Sequence, residues 1–166
     1  MTTARKGFTL IELMVVIAVI GILAAIALIS LTGVQRTARD ATRKSNISDY
    51  ATALTRYYQD KQGYIATTGI ISAGNGTSGS GPFGATGTGT LVGGGYMPKV
   101  LTDPSYGQNF CGSGSQACDY EYTGTAQQYN IWARLEAGSG GLNYFVIGSD
   151  GTRQNVSVEP TSPTSY

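Results

Sequence analysis

The chain has 166 residues and a net charge of +1, with 11 basic and 10 acidic side chains. That length holds one modest domain plus an appendage, and the even charge balance gives no strong signal for nucleic acid. There is no histidine, so the commonest general base and the commonest neutral metal ligand are missing. With no evident triad and few carboxylates in the C-terminal half, the sequence argues against an enzyme and calls for no cofactor.

In chain order, residues 1–7 form a short basic start ending Arg5-Lys6-Gly7. From Phe8 to Leu31 the run is almost wholly apolar, broken by Thr9, Glu12, Gly21 and Ser30. A bilayer core of about 30 Å needs about 20 apolar helical residues, so Phe8 to Leu31 is long enough to span. Basic residues stand on both flanks, Arg5 and Lys6 before and Arg36, Arg39, Arg43 and Lys44 after, so they do not set the orientation. Three simpler readings compete. A secretory signal peptide would use Ala25-Ile26-Ala27 as its cleavage site, but its apolar region would exceed the usual length and contain an acid. A plain signal anchor leaves Glu12 unexplained. A buried core helix is at odds with a run apolar on every face in so small a chain.

The stretch Lys6-Gly7-Phe8-Thr9-Leu10-Ile11-Glu12 resembles the processing site of type IV pilins and pseudopilins. Those carry a short basic leader ending in Gly, then Phe, then a Glu five residues into the mature chain, followed by an apolar helix. Residue types, order and spacing agree from Lys6 to about Ala27. The resemblance implies that residues 1–7 are a leader, cut between Gly7 and Phe8 by a membrane prepilin peptidase that also N-methylates Phe8. It implies partners as well: the bilayer before assembly, a membrane assembly platform, and further copies of the chain joined through their N-terminal helices. The proline that many type IV pilins place near the end of this run is absent at Ile29, and Gly21 is left as a weak point. A bare carboxylate in such a segment is costly. Cutting after Gly7 would create an amine on Phe8, an i,i+4 helical neighbour of Glu12. Phe8 and Glu12 of adjacent subunits would then pair only in correct stagger, as a register device for assembly.

Residues 8–34 are thus read as a transmembrane and assembly helix, and 35–63 as its amphipathic continuation. Ala38, Ala41, Ile47, Tyr50, Ala51, Leu54, Tyr57 and Tyr58 mostly follow steps of three and four, and charged residues take the other faces. Gly63 is the expected stop. The Arg39-Asp40…Arg43-Lys44 cluster reads as a contact for lipid headgroups or a neighbouring subunit, or as a solvated face. Residues 64–158 are the head. Its Gly69 to Gly95 segment has no charge and no period, and reads as a flexible loop without a phosphate-cradle signature. Asn75-Gly76-Thr77 fits an N-glycosylation sequon, as do Asn46-Ile47-Ser48 and Asn155-Val156-Ser157.

Cys111 and Cys118 lie close together in a Gly/Ser context and read as a local disulfide, which would put the head in an oxidising compartment; the alternative is two unpaired thiols in a loop. Strands are predicted over Tyr120–Thr123, Gln128–Glu136, Leu142–Ile147 and Arg153–Val158, separated by turn residues as in an antiparallel sheet. Tyr129, Ile131, Ala133 and Leu135 form an apolar face able to pack on the helix, and Asn130, Trp132 and Arg134 alternate with them. Residues 159–166 read as a loose tail. The fold class is α+β: a long N-terminal helix on a small antiparallel sheet, like a type IV pilin. GYMPKVLTDPSYG followed by strands and FVIGSDG is similar to major pseudopilins of type II secretion, without their tryptophan after the Asp-Pro pair. Such pseudopilins can bind calcium, which makes Asp119 and Asp150 candidate ligands, with turn formation as the competing role.

The function these readings favour is a membrane-stored structural subunit. It would be processed after Gly7 and polymerised into an extracellular pilus-like filament for attachment or motility. The alternative is a pseudopilin of a secretion or DNA-uptake system. A DNA-binding minor pilin would want a basic patch, yet Lys99, Arg134 and Arg153 are sparse on the head.

Overall fold

A computed structural model describes residues 7–71, 83–84, 89–105, 120–137, 144–160 and 162–163, the side chains of 27–32 and 70 excepted. The chain divides into two units, Met1–Arg36 and Thr37–Tyr166. One helix, α1 (Leu10–Lys61), is followed by strands β1 (Thr68–Ile71), β2 (Tyr120–Gly124), β3 (Tyr129–Arg134), β4 (Tyr144–Gly148) and β5 (Arg153–Val156). The helix holds no proline, and its commonest residues are Ala, Ile and Leu, with few breakers. It ends because Gln62 turns into the left-handed region, with φ of 57°. The expected stop, Gly63, is one residue late: Gln62 itself takes the cap conformation, its N–H donating to Tyr58 O at 2.8 Å.

In the second unit, the part of α1 from Thr37 onward packs on a five-stranded antiparallel sheet of order β1-β2-β3-β4-β5. Ile131 pairs with Tyr122 on β2 and Ile147 on β4, so one face of the sheet is a row of large side chains. These bury against Ile47, Tyr50, Ala51 and Leu54 of α1. Rings fill the space between the layers: Tyr50 meets Phe83 and Tyr120 edge-on, and Phe83 in turn meets Tyr122. Tyr122 Oη donates to Ile65 O at 2.8 Å, and Tyr50 Oη accepts from Leu101 N at 2.8 Å. The first of these requires glycine at position 124, where a Cβ would lie 2.2 Å from Tyr122 Oη and 2.7 Å from Ile65 O.

Four sequence expectations change in the head. The Gly69–Gly95 segment is not loop throughout: Gly69 to Ile71 belong to β1, which pairs with β2. Ile71, Phe83 and Leu91 from the same segment are buried in the core, because isolated apolar residues in a glycine-rich stretch are long enough to reach it. The polar-reading face of β3 is also covered, since Asn130 and Trp132 are buried alongside Val146 of β4. The 159–166 tail is one reason. Pro160 is fully buried, and Asn130 Nδ2 donates to Ser162 O at 2.8 Å. Finally, Ala38 and Ala41 are exposed rather than inward; Asp40 and Arg43 take the buried face of that turn.

Candidate functional site

The N-terminal site is built from Gly7 to Leu13. Phe8 is 84 % exposed, and a side chain added at Gly7 would meet nothing within 4 Å. The Gly7–Phe8 bond therefore lies in an open segment ahead of the helix, where a protease can reach extended backbone. Thr9 is the N-cap, and its carbonyl accepts the first helical bond from Leu13 N at 3.3 Å. Glu12 reaches back to the cap. Its Oε2 accepts from Thr9 N at 2.8 Å and from the Thr9 hydroxyl at 2.7 Å, while Glu12 N donates to Thr9 Oγ1 at 3.3 Å. This reciprocal arrangement is a capping box. The Thr9-Leu10-Ile11-Glu12 spacing is its signature in the sequence. Phe8 precedes the helix that starts at Leu10, so in the uncut chain Glu12 is engaged by Thr9, and the pairing expected of the Phe8 amine belongs to the cleaved chain.

From Leu10 to Ile26 every described large apolar side chain is exposed, from 48 % at Val16 to 75 % at Leu10. The helix has no apolar stripe facing a core in this unit; it is apolar all round, which demands a covering medium or like helices. Among the described residues, no helix is long and apolar enough to cross a membrane.

The Arg39–Lys44 cluster, a candidate surface in the sequence, is an internal ion network in the second unit. Arg43 is buried, 1 % exposed. Its Nε and Nη2 form a fork on Asp103, at 2.6 and 2.9 Å; Nη1 donates to Asp40 at 2.7 Å, and Nη2 also reaches Glu136 at 2.7 Å. Arg39 Nε donates to Glu136 Oε1 at 2.8 Å, and its Nη2 forms a short contact with Oε2. Asp40 accepts from the backbone of Glu136 and Ala137, so it caps the chain leaving β3. Burial acts to raise the Glu136 pKa, but hydrogen bonds from Arg39, Ser105 and Arg43 outweigh it and bring the carboxyl down to about 2. Burial likewise opposes the charge on Arg43, and the hydrogen bonds it donates to Asp103, Glu136 and Asp40, with the charge of Asp103, more than offset it, raising its pKa. Lys44 lies over the Phe145 ring at 5.3 Å. These residues are spent on holding α1 to the sheet, which corrects both the lipid-contact and the solvated-face readings. The long separation between Arg43 and its partners hides this in the sequence.

Asp150 accepts from Thr152 N at 2.9 Å and Thr152 Oγ1 at 2.7 Å, the bonding of a turn-forming aspartate. Among the described residues no group of three or more His, Cys, Asp or Glu could hold a metal ion. Cys111, Cys118 and Asp119 lie outside the described residues.

Residues 2–28 match the family model for the prokaryotic N-terminal methylation motif. The chain thus carries a class III prepilin leader, the kind typical of type IV pilins and pseudopilins. Behind it the chain is α+β, a long helix followed by a five-stranded antiparallel sheet. In pilins and pseudopilins a leader of this kind is cut by a prepilin peptidase and marks structural subunits held in the inner membrane before assembly outside it. Comparison with curated proteins and with solved structures gives no match.

Proposed function

We propose that the chain is the subunit of an extracellular type IV pilus-like filament serving surface attachment or motility. The observation that carries this reading is the exposed Gly7–Phe8 bond inside a methylation motif, followed directly by an apolar helix with Glu12 at its cap. The prepilin sits in the bacterial inner membrane with Phe8 to Leu31 spanning it and the head outside. A prepilin peptidase cuts after Gly7 and methylates Phe8. The assembly platform then moves the helix from lipid into a bundle of like helices. Both environments are apolar, so the transfer is nearly balanced and suits reversible assembly. Head-to-tail contacts that do not close give an open helical polymer. Cys111 and Cys118 form a disulfide in the head, consistent with that compartment.

After cleavage, the Phe8 amine and Glu12 act in register. Glu12 holds Thr9 in the uncut chain but retains free lone pairs to accept from an amine of its own or a neighbouring subunit. The test is intact mass on protein from membranes and from sheared filaments, with electron microscopy of the filaments. A main band starting at N-methyl-Phe8 is expected in both fractions. A start at Leu28 would mean a secretory signal peptide, and long surface fibres lacking the chain would favour the pseudopilin role.

A further inference from the structure

The sequon Asn155-Val156-Ser157 is not used by any part of the filament reading, and the fold separates it from its counterpart at Asn46. Asn46 sits within α1, with its carboxamide committed: Nδ2 donates to Tyr120 Oη at 2.7 Å and approaches Thr102 O at 3.5 Å. A saccharide on that nitrogen would break the tie between helix and sheet. Asn75 lies outside the described residues. Asn155 is the opposite case. It is exposed, and so is Ser157, the hydroxyl residue of the sequon. Among the described residues its carboxamide has no hydrogen-bond partner to lose. It lies on β5, which among the described residues is the last strand of the sheet and pairs with β4 alone, and the strand ends at Val156 so that Ser157 and Val158 bend away. An extended segment opening into a bend is the backbone a modifying enzyme can grip.

We propose that Asn155 is an N-glycosylation site. The co-reactant is an oligosaccharide carried on a lipid diphosphate. The Asn155 nitrogen forms a bond to C1 of the first sugar and gives up one proton; the C1–O bond to the diphosphate breaks, and the lipid diphosphate leaves with the electron pair. The physical gain is at the sheet edge. Among the described residues no strand pairs with the outer edge of β5, Val158 just beyond it is 72 % exposed, and the strand itself carries the charge of Arg153. Edges of this kind invite pairing with another chain. A hydrated saccharide on Asn155 blocks that approach and covers the exposed valine.

The proposal rests on the filament reading only in needing the head outside the membrane, and the experiment separates the two. The protein is purified from its native host and analysed by intact mass and by tryptic peptides. Cleavage after Arg153 releases Gln154–Tyr166, which contains the site, and cleavage after Lys44 and Arg56 releases Ser45–Arg56, which contains Asn46. We expect saccharide fragment ions and added mass on Gln154–Tyr166, none on Ser45–Arg56, and loss of the added mass in both Asn155→Gln and Ser157→Ala. An unmodified Gln154–Tyr166 on a chain that starts at Phe8 overturns the glycan and leaves the filament reading standing. Added mass that survives Asn155→Gln overturns the assignment to asparagine in favour of a hydroxyl of the tail.

Discussion

At the scale of single residues, Arg43 and Glu136 carry the largest electrostatic stakes. Three carboxylates, Asp40, Asp103 and Glu136, converge on the Arg43 guanidinium where there is almost no water. Arg43→Met should destabilise the head by about 3–5 kcal/mol, because it strands buried charge, and Arg43→Lys should recover only part of the loss, since an ammonium cannot form the fork on Asp103. Denaturant unfolding followed by the fluorescence of Trp132, the single tryptophan, measures both. The Glu136 carboxyl falls from an ordinary 4.5 to about 2 in the folded chain. A depressed pKa stabilises fully above the unfolded value and is lost as pH falls through the folded one. Stability should therefore drop between pH 4.5 and 2, by on the order of 3 kcal/mol from this group. Glu136→Gln should lower stability at neutral pH and flatten that part of the acid limb; an unchanged limb would mean that other carboxylates set it. Gln62 is a smaller case. It holds φ of 57°, which a side chain resists, so Gln62→Gly should raise stability by roughly 0.5–1 kcal/mol.

At the scale of elements, the sheet is covered on both faces, and each cover can be removed in turn. Phe83 and Leu91 come from the glycine-rich segment yet lie in the core, so Phe83→Ala should cost about 3–5 kcal/mol and Leu91→Ala about 2–5 kcal/mol. Thermal melts of the two variants at wild-type level would show that the segment is dispensable. Ending the chain at Val158 removes Pro160 and the Ser162 carbonyl that receives Asn130, and should red-shift Trp132 emission as water reaches that face. Trp132 has a buried Nε1 without a partner among the described residues, which makes its emission sensitive to such a change. The sequence made the helix and β2 to β5 legible because their periods are strong: Tyr129, Ile131 and Ala133 alternate, and Ile47, Tyr50, Ala51 and Leu54 step at helical spacing. It concealed β1, whose Thr68-Gly69 start reads as breaker and whose partner β2 lies far along the chain. It concealed the ion network for the same reason: a charge on an amphipathic helix reads as solvated unless its distant partners are known. The processing segment is legible as a motif, and the Thr9-Leu10-Ile11-Glu12 spacing carries its capping box.

At the scale of the whole molecule, the leader and the apolar helix make assembly the property to test. Glu12→Ala makes the apolar run more apolar, so membrane insertion should persist or improve. Cleavage should also persist, because the Gly7–Phe8 bond is exposed ahead of the capped helix. Mature variant should nonetheless be missing from sheared filaments, since each added subunit would bring an unpaired amine into an apolar bundle. Wild-type amounts in the filament fraction would sink the register role and leave Glu12 only its capping bonds to Thr9. The internal ion network has a consequence for the order in which the chain is made. Arg43 emerges from the ribosome 93 residues before Glu136 and 60 before Asp103. Until those partners are synthesised, the inward face of α1 presents a guanidinium that no closed core can accept. A half-made head thus has reason to stay open until the residues just past β3 have arrived to complete the set of counter-charges.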